Sequence, residues 1–404
     1  MTSPSGRAAA TPPSRGLSPK PAFALLYAAQ FGFLGVQLPF VSRWLEGEGF
    51  TTEAIGLLGG AALIIRLLLA PPLAYRAETA RDPRTPLKLV ALALAGASAG
   101  LLFALPQAAV AVLFVVLFLA FGLGVPLADA NVLRADKAGQ LDFSRIRSVG
   151  SLAFIAANLI GGLVIEATTD EAIVVWMAVS AGLLVWASWI LPPAPPRADA
   201  APPSLAVAGE LFRSRSFLLL IFSAGLCQAS HAVYYTFSVL QFDALGYPSW
   251  LVGCLWTVGV TVEIGMLFYG RRILARINPA TLIALAGLTA LVRWPLTGLN
   301  PPLPVLFALQ LGHAGTFTAA YLGTVEFVGR AVPEVYRGTA MTIISTVGIG
   351  ALTGAATAGA GQVFEAEAPF AAYAVMGAMG AGGTALALML RRRWDGGTLR
   401  ALDA

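Results

Sequence analysis

The sequence predicts an all-α polytopic membrane protein with 12 transmembrane helices in two six-helix bundles. Of its 404 residues, 57% are hydrophobic and 12% are charged, whereas a soluble domain carries about 25% charged residues. Apolar runs of about 20 residues, the length that crosses a bilayer as a helix, recur along the whole chain. These runs do not show the alternation of apolar and polar residues that a membrane β-barrel requires.

The apolar runs form two sets of six, separated by a linker rich in proline and alanine. The first set is predicted at residues 21–44, 53–75, 87–105, 108–132, 148–165 and 172–191. The second set is predicted at residues 217–243, 250–269, 279–299, 303–328, 339–364 and 369–390. The predicted domains are a disordered tail (1–20), an N-terminal bundle (21–191), a linker (192–216), a C-terminal bundle (217–391) and a second tail (392–404).

Charged residues between the runs predict the orientation of the helices. Loops on one side carry the basic residues Arg76, Arg81, Arg84, Lys88, Arg134, Lys137, Arg145, Arg147, Arg213, Arg215, Arg271, Arg272, Arg276, Arg330, Arg337, Arg391, Arg392 and Arg393. Loops on the other side carry Glu46, Glu48, Glu53, Glu166, Asp170, Glu171, Asp243, Glu365 and Glu367, with Arg43 as their only basic residue. Because cytoplasmic loops are enriched in lysine and arginine, both termini and the linker are predicted to be cytoplasmic. The net charge of +5 therefore indicates orientation, and no nucleic-acid partner is expected.

Polar residues on the seventh and eighth predicted helices indicate a solute pathway. Gln228, His231 and Tyr235 are spaced i, i+3 and i+7, and Trp256 and Glu263 are seven residues apart, so each set shares a helical face. Ionisable groups in spanning helices usually face a protein interior or a water-filled cavity. The alternative is a buried polar pair that only holds the helices together.

Further charged and polar groups lie inside the other predicted helices. Arg66 lies in the second helix, Arg293 and Trp294 in the ninth, and Gln310 and His313 in the tenth. A carboxylate, two fixed cations and an imidazole, a group that titrates near neutral pH, are suited to binding an anion and coupling it to a proton. The competing interpretation is an internal ion pair between Glu263 and Arg293.

The predicted site has three groups of residues. The substrate-binding group is Arg66, Gln228, His231, Tyr235, Trp256, Trp294 and Gln310. The proton-coupling group is Glu263, Arg293 and His313. The gating group is Asp129 and Arg147, although for Asp129 a structural contact or a place in the binding site is an equal alternative.

Two other features complete the inventory. Glu326 precedes Arg330 by four residues, so an ion pair at the membrane edge is expected rather than a site role. Cys227 and Cys254 both fall in apolar segments, so neither a disulfide nor a metal site nor any cofactor is predicted. The sequence has no Walker A, H-E-x-x-H or G-x-S-x-G motif, which argues against ATP-driven transport and against an enzyme.

The chain resembles the major facilitator superfamily, and more narrowly the bacterial 3-phenylpropionic acid permease group, which is similar to the lactose-permease branch of proton symporters. The resemblance is carried by LPFVSRWL (38–45), IGLLGGAALIIRLL (55–68), PLADA (126–130), LDFSRIRSVGSLAF (141–154), QASHAVYY (228–235), GYPSWLVGCLW (246–256), VRW (292–294) and LQLGHAGTF (309–317). It implies two bundles around a central cavity, uptake of a small-molecule substrate with protons, alternating access, a bacterial inner-membrane location and a monomer. The loop after the second helix departs from the superfamily's G-x-x-x-D-R-x-G-R-R pattern.

Several functions remain open at this stage. Proton-coupled symport of an aromatic or other carboxylic acid is favoured. The alternatives are a sugar or nucleoside symporter, a proton-driven exporter of metabolites or drugs, and a receptor or assembly factor that has the fold but moves no solute.

The predicted orientation is tested by cysteine labelling. In a variant without the two native cysteines, Cys227 and Cys254, a cysteine at Ala200 is expected to react only from the cytoplasmic side. A cysteine at Ala368 is expected to react only from outside, because the acidic loops face outward. A membrane-impermeant maleimide applied to vesicles of both orientations measures this, and labelling of both positions from the same side would contradict the 12-helix topology.

Overall fold

The computed structural model describes residues 19–193 and 205–399, and within these ranges the chain forms helices joined by short loops, without a strand. The N-terminal half consists of α1 (Pro19–Gly47), α2 (Thr52–Thr79), α3 (Arg84–Gly100), α4 (Gln107–Lys137), α5 (Phe143–Ala167) and α6 (Glu171–Ile190). The C-terminal half begins with α7 (Leu205–Arg213), α8 (Arg215–Ala229), α9 (Ala232–Ala244), α10 (Ser249–Phe268), α11 (Gly270–Leu274) and α12 (Pro279–Gly298). It continues with α13 (Leu303–Leu311), a π-helix (Ala314–Thr318), α14 (Ala319–Ala331), a 3₁₀ turn (Glu334–Tyr336), α15 (Arg337–Ile343), a second π-helix (Ile344–Gly350), α16 (Ala351–Ala360) and α17 (Phe370–Arg393).

The predicted all-α membrane class is confirmed. Eleven helical segments of the described ranges are long and apolar enough to cross a membrane. The remaining predicted span corresponds to α3, whose 17 residues make a helix about 26 Å long at 1.5 Å per residue. It packs against α4 and α6, in the position of the third predicted helix.

Some predicted segments differ in detail. The seventh span is not one regular helix, because the chain makes a turn at Ser230 and His231 between α8 and α9. The tenth span contains the π-helix Ala314–Thr318. Part of the predicted linker is helical, since α7 lies within it. Residues 1–18 of the first predicted tail, 194–204 of the linker and 400–404 of the second tail lie outside the described residues.

The loops that the charge pattern places outside share one end of the molecule, here called the acidic end. It carries the α1–α2, α3–α4, α5–α6, α9–α10, α12–α13 and α16–α17 loops. Hydrogen bonds and ion pairs join these regions: Gln107 Nε2 to Gly49 O (2.8 Å), Arg43 to Asp170 (3.0 Å) and Asp243 (3.1 Å), Gln241 Nε2 to Asn300 Oδ1 (2.8 Å), and Asn300 Nδ2 to Glu367 O (3.1 Å). The alternation of loops between two ends, expected from the charges, is therefore present in the fold.

The opposite, basic end is held by separate contacts within each half. Arg84 donates to the backbone oxygen of Leu191 (2.8 Å), which ties the α2–α3 loop to the end of α6. It also donates to the carboxylate of Asp82, and these hydrogen bonds lower the pKa of Asp82 to about 2. Because the folded-state pKa is depressed, the pair stabilises the fold above the unfolded pKa of about 4 and loses this contribution as the pH falls towards 2. Both side chains are partly exposed, so the contribution is small.

Glycines allow the two bundles to touch near the acidic end. An added methyl group at Gly162 of α5 would lie 2.6 Å from the backbone oxygen of Ser249, the first residue of α10 in the other bundle. The same addition at Gly60 of α2 would lie 2.6 Å from the backbone oxygen of Gly354 in α16. A methyl group added at Gly253 of α10 would collide with the backbone oxygen of Asn158 in α5. These backbone-to-backbone approaches, possible only without side chains, close the space between the bundles at this end.

Arg43 links the bundles at the same end. Its guanidinium lies 3.0 Å from Asp170 in the N-terminal bundle and 3.1 Å from Asp243 in the C-terminal bundle, and it donates to Ser249 Oγ (3.1 Å). The backbone N–H of Ser249 in turn donates to Glu166 across the same boundary (2.8 Å). The single basic residue of the acidic loops is therefore shared between the two bundles.

Replacing Arg43 is expected to loosen the acidic end. The ion-pair side chains are 25–47% exposed, so each pair contributes about 0.2–1 kcal/mol and their loss shifts an open–closed equilibrium roughly five-fold. In Arg43→Gln, a cysteine introduced at Leu38 is expected to react faster with an impermeant maleimide applied from the acidic side. The matched control is Arg84→Gln, which removes an ion pair within one bundle. Equal labelling rates in the two variants would contradict the role given to Arg43.

Candidate functional site

A cavity of about 240 Å³ lies between the two bundles. Its walls come from five spans: Phe31, Leu34 and Leu38; Arg147, Ser151 and Phe154; Tyr234 and Tyr235; Trp256, Gly259, Val260 and Glu263; and Gln310, His313 and Phe317. A water in liquid occupies about 30 Å³, so the cavity holds the equivalent of roughly eight waters. This size suits one small solute.

The position of the cavity follows from chain order. On α5 its lining residues, from Arg147 to Phe154, precede the glycine contact at Gly162. On α10 its lining residues, from Trp256 to Glu263, follow Gly253. The cavity therefore lies on the basic-end side of the contacts that close the acidic end.

The wall formed by the N-terminal bundle carries one cation. Arg147 is exposed, and its guanidinium lies 4.4 Å from the ring centre of Phe31, a cation–π distance. No ion pair of Arg147 is found among the described residues. Phe31 stacks on Tyr27 (5.8 Å), whose hydroxyl donates a hydrogen bond to Asp129. The two predicted gating residues are thus connected through α1, and Arg147 itself lines the cavity.

The wall formed by the C-terminal bundle carries the carboxylate. Glu263 Oε2 lies 3.5 Å from His313 Nε2, a contact between α10 and the tenth span. The competing interpretation, an ion pair between Glu263 and Arg293, is not found among the described residues, where Glu263 pairs with His313. His313 occupies the position between them, since its Nδ1 lies 3.5 Å from Arg293 Nη1.

Arg293 lies behind this wall and is 2% exposed. Its two terminal nitrogens donate to Thr316 Oγ1 (3.0 Å) and to Gln310 Oε1 (2.9 Å). The plane of the guanidinium also lies 4.2 Å from the ring centre of Trp294. A buried cation is tolerated only when its donors are matched, and here neutral oxygens and an aromatic face supply most of that compensation.

The interruptions in the seventh and tenth spans meet at the same level. Gln228 Nε2 donates to the backbone oxygen of Phe317 (3.2 Å), and His231 Nε2 lies 2.9 Å from Thr316 Oγ1. Trp294 Nε1 donates to Ser230 Oγ (3.0 Å). In a π-helix the backbone hydrogen bonds join residues five apart rather than four, and such segments are frequently found at functional sites. Here it presents a side chain and a backbone oxygen to the turn between α8 and α9.

Aromatic rings form much of the cavity surface. Tyr235 and Trp256 are tilted against each other with ring centres 5.6 Å apart, and Tyr234 lies 4.9 Å from Trp256. His313 and Phe317 are stacked at 5.5 Å. Such surfaces favour a flat apolar solute, and aromatic pairs prefer these offset or edge-on geometries.

The structure separates the predicted substrate-binding residues into three locations. Tyr235, Trp256 and Gln310 line the cavity. The others in the C-terminal bundle lie behind its wall: Gln228, His231 and Trp294. Arg66 lies elsewhere, at the α2–α4 interface, where it fills the space next to Gly122. A bound solute that touches only the lining residues would therefore not touch Arg66.

Sequence reasoning did not single out several residues that the fold brings to the site. Thr316 contacts two site residues, while Phe31, Ser151 and Phe317 line the cavity. Thr316 lies three residues after His313, a spacing that places both on one face of a helix. That signal was present, but a threonine in a spanning helix is common. Glu326 does form the expected ion pair with Arg330 (2.6 Å).

Comparison with known proteins gives a consistent picture. Residues 22–375 match the sequence model described as the MFS_1 like family. The chain is 30% identical over 350 residues to the "Probable 3-phenylpropionic acid transporter" of Escherichia coli (strain K12), which covers 85% of this chain and 90% of that protein. It is 28% identical over 336 residues to the "Maltose permease" of Geobacillus stearothermophilus, 82% of this chain and 84% of the permease. The crystal structure of the nucleoside transporter NupG superposes with a TM-score of 0.76 at 17% identity, covering 94% of this chain and all of NupG. These relatives are transporters and not enzymes.

Proposed function

Since the chain belongs to the MFS_1 like family, we propose that it is a secondary transporter that carries a small aromatic or other carboxylic acid together with a proton. The observation that supports this most is the pair of opposite charges in one cavity. Arg147 comes from the N-terminal bundle and Glu263 from the C-terminal bundle. Alternating access moves the two bundles relative to each other around a central site, so both charges stay at the solute while the opening changes sides.

Arg147 is the proposed ligand of the solute carboxylate. Its guanidinium is exposed in the cavity and is positioned by the ring of Phe31 beneath it. Guanidinium groups bind carboxylates through two parallel hydrogen bonds, which fixes orientation as well as charge. A solute ring would then lie against Tyr235 and Trp256 on the opposite wall. A solute of this kind agrees with the description of the E. coli relative.

Glu263 is the proposed proton carrier, with His313 beside it. An ionised Glu263 repels a carboxylate that enters the same small cavity, whereas a protonated one does not. Binding of both anion and proton leaves the net charge of the cavity equal to that of the empty cavity. Binding of only one changes it by one unit, and a closed, low-dielectric space makes such a change costly. This difference links movement of the solute to movement of the proton.

The orientation of the cavity follows from the charge of the loops. With the basic end in the cytoplasm, the closed acidic end faces outward and the cavity lies on the cytoplasmic side of the closure. We infer a monomer in a bacterial inner membrane, since one chain contains both bundles and the whole cavity. The proposed direction is uptake, because the solute is proposed to move with a proton and the proton gradient of a bacterial inner membrane is directed inward.

A sugar or nucleoside symporter is the second candidate, because the cavity also offers uncharged donors. Among the described residues, Trp256 Nε1 and Gln310 Nε2 are buried and have no hydrogen-bond partner. Hydroxyl or carbonyl oxygens of a solute would satisfy both donors. The name of the maltose permease relative agrees with this alternative.

Replacing Arg147 tests carboxylate recognition. Arg147→Lys is expected to weaken binding of 3-phenylpropionate about ten-fold, because lysine keeps the charge but loses the two-pronged geometry. Calorimetric titration of the purified protein measures this, with 3-phenylpropanol as the uncharged analogue. The matched control is Arg145→Lys, an exposed arginine two residues away on α5. If Arg147→Lys binds the acid as the wild type does, or if sugars bind and the acid does not, the carboxylate assignment is wrong.

Replacing Glu263 tests proton coupling. Glu263→Gln resembles the protonated side chain at nearly unchanged volume. The variant is expected to keep exchange of internal for external solute but to lose accumulation driven by a proton gradient, because only accumulation requires net release of a proton. Proteoliposomes with and without an imposed pH gradient measure both activities. Accumulation by Glu263→Gln at the wild-type level would transfer the coupling role to another group, with His313 as the next candidate.

A further inference from the structure

The contacts of the two histidines determine which ring nitrogen of each carries hydrogen. The chain has two histidines: His313 lines the cavity, and His231 lies behind the cavity wall. Their ring nitrogens each face a defined partner, and several of these partners can act only as donor or only as acceptor. A nitrogen that faces an acceptor must carry the hydrogen, and a nitrogen that faces a donor must not.

His231 carries its hydrogen on Nδ1. That nitrogen lies 3.0 Å from the backbone oxygen of Gln228, which can only accept. His231 is 0% exposed, and its surroundings are Arg293, His313 and the rings of Tyr235, Trp294 and Phe317, with no carboxylate among the described contacts. A second cation beside Arg293 would be uncompensated, so the ring is neutral. Its Nε2 is then an acceptor.

Thr316 supplies the hydrogen that His231 needs. Its Oγ1 lies 2.9 Å from His231 Nε2 and also accepts from Arg293 Nη1 (3.0 Å). A hydroxyl has one hydrogen, so donation to His231 leaves none for the backbone oxygen of His313, 3.1 Å away. The hydroxyl of Thr316 thus accepts a hydrogen bond from Arg293 and donates one to His231.

Arg293 determines the tautomer of His313 in the same way. The guanidinium can only donate, so His313 Nδ1, 3.5 Å from Arg293 Nη1, is an acceptor. The hydrogen of a neutral His313 is therefore on Nε2, the nitrogen that lies 3.5 Å from Glu263. In this tautomer His313 donates to the carboxylate, and in the other tautomer it could not.

We propose that Thr316 is a positioning residue for proton coupling: it holds Arg293 in the orientation that keeps His313 as an Nε2–H donor towards Glu263. Thr316 touches neither the solute cavity nor Glu263 in the described contacts. The role in coupling rests on the proposed function of Glu263, whereas the hydrogen positions rest on geometry alone. The π-helix is what makes the contact possible, because it contains Thr316 and faces the turn at His231.

The hydrogen positions are tested by nitrogen-15 NMR of purified protein labelled at histidine. Only two rings contribute, and each is assigned by its absence in His231→Gln or His313→Gln. The expected wild-type spectrum near neutral pH shows opposite tautomers, Nδ1–H for His231 and Nε2–H for His313. Two rings of the same tautomer, or a doubly protonated ring, would overturn the proposal without any variant of Thr316.

The role of Thr316 is tested by Thr316→Val, which keeps the shape and removes the hydroxyl, and by Thr316→Ser, which restores it. In Thr316→Val, His313 is expected to populate both tautomers. Proton-driven accumulation is expected to fall about five-fold, the effect of losing the buried hydrogen bond that holds Arg293. Solute exchange is expected to stay near the wild-type rate. Thr316→Ser is expected to behave as wild type in all three measurements.

Three outcomes separate this proposal from the proposed function. If Thr316→Val keeps the wild-type His313 spectrum and accumulation, Thr316 is not a positioning residue. If Thr316→Ser behaves like Thr316→Val, the hydroxyl is not the cause and the proposal is also wrong. If the wild type accumulates no carboxylic acid under any pH gradient, the proposed function is wrong. The NMR spectrum of the two histidines still tests the hydrogen positions in that case.

Discussion

A buried guanidinium in a membrane protein must have its donors matched inside the protein, and the C-terminal bundle is arranged around that requirement at Arg293. Regular helices offer few free acceptors, since their backbone oxygens are already bonded. The tenth span provides Gln310 and Thr316 from one side, and the tryptophan that follows Arg293 covers its face. The side chains of Gln310 and Thr316 thus supply the acceptors that the helix backbone does not offer.

The same requirement separates two kinds of positive charge. Arg293 is enclosed, and its two terminal nitrogens donate to neutral oxygens while its Nε has no partner among the described residues. Arg147 is exposed to the cavity, and the contact described for its guanidinium is with an aromatic ring. A matched cation organises its neighbours, while an unmatched one attracts a ligand. The carboxylate of Glu263 lies between these two situations, since it is half-buried and contacts only an imidazole. Each bundle thus contributes one charge that is free to respond when a solute enters.

Much of this architecture was predictable from the sequence because it depends on patterns that repeat. The length of each apolar run locates a span, and the charge of the loops shows which end of the span faces which side. Neither signal is changed by a small irregularity within a helix. The side-chain directions within the site were less predictable. Assigning residues to one face of a helix assumes a regular helix. The turn at Ser230 and His231 interrupts the helix, and Gln228 donates to the backbone oxygen of Phe317 instead of lining the cavity.

Other parts of the site depend on partners distant in sequence. The expected pairing of Glu263 with Arg293 had sound chemistry, but His313 occupies the intervening position. Arg43 was visible as the exception among acidic loops, yet only the fold brings Asp170 and Asp243 to it from separate bundles. Sequence composition predicts which groups need partners, whereas the choice of partner is made by packing.

The glycine contacts between α5 and α10 have a consequence for the speed of conformational change. Interlocked side chains must change rotamers before two helices can part, and each such step adds a barrier. Gly162 and Gly253 let backbone meet backbone and have no side chains of their own to disengage. The side-chain contacts that must break beside them are therefore those of Arg43 and Glu166 with Ser249 and Asp243. Separation of α5 from α10 at these glycines exposes little apolar surface, so the free energy of separation increases slowly with distance. A transporter that must part and rejoin this boundary in every cycle gains speed from residues that have nothing to rearrange.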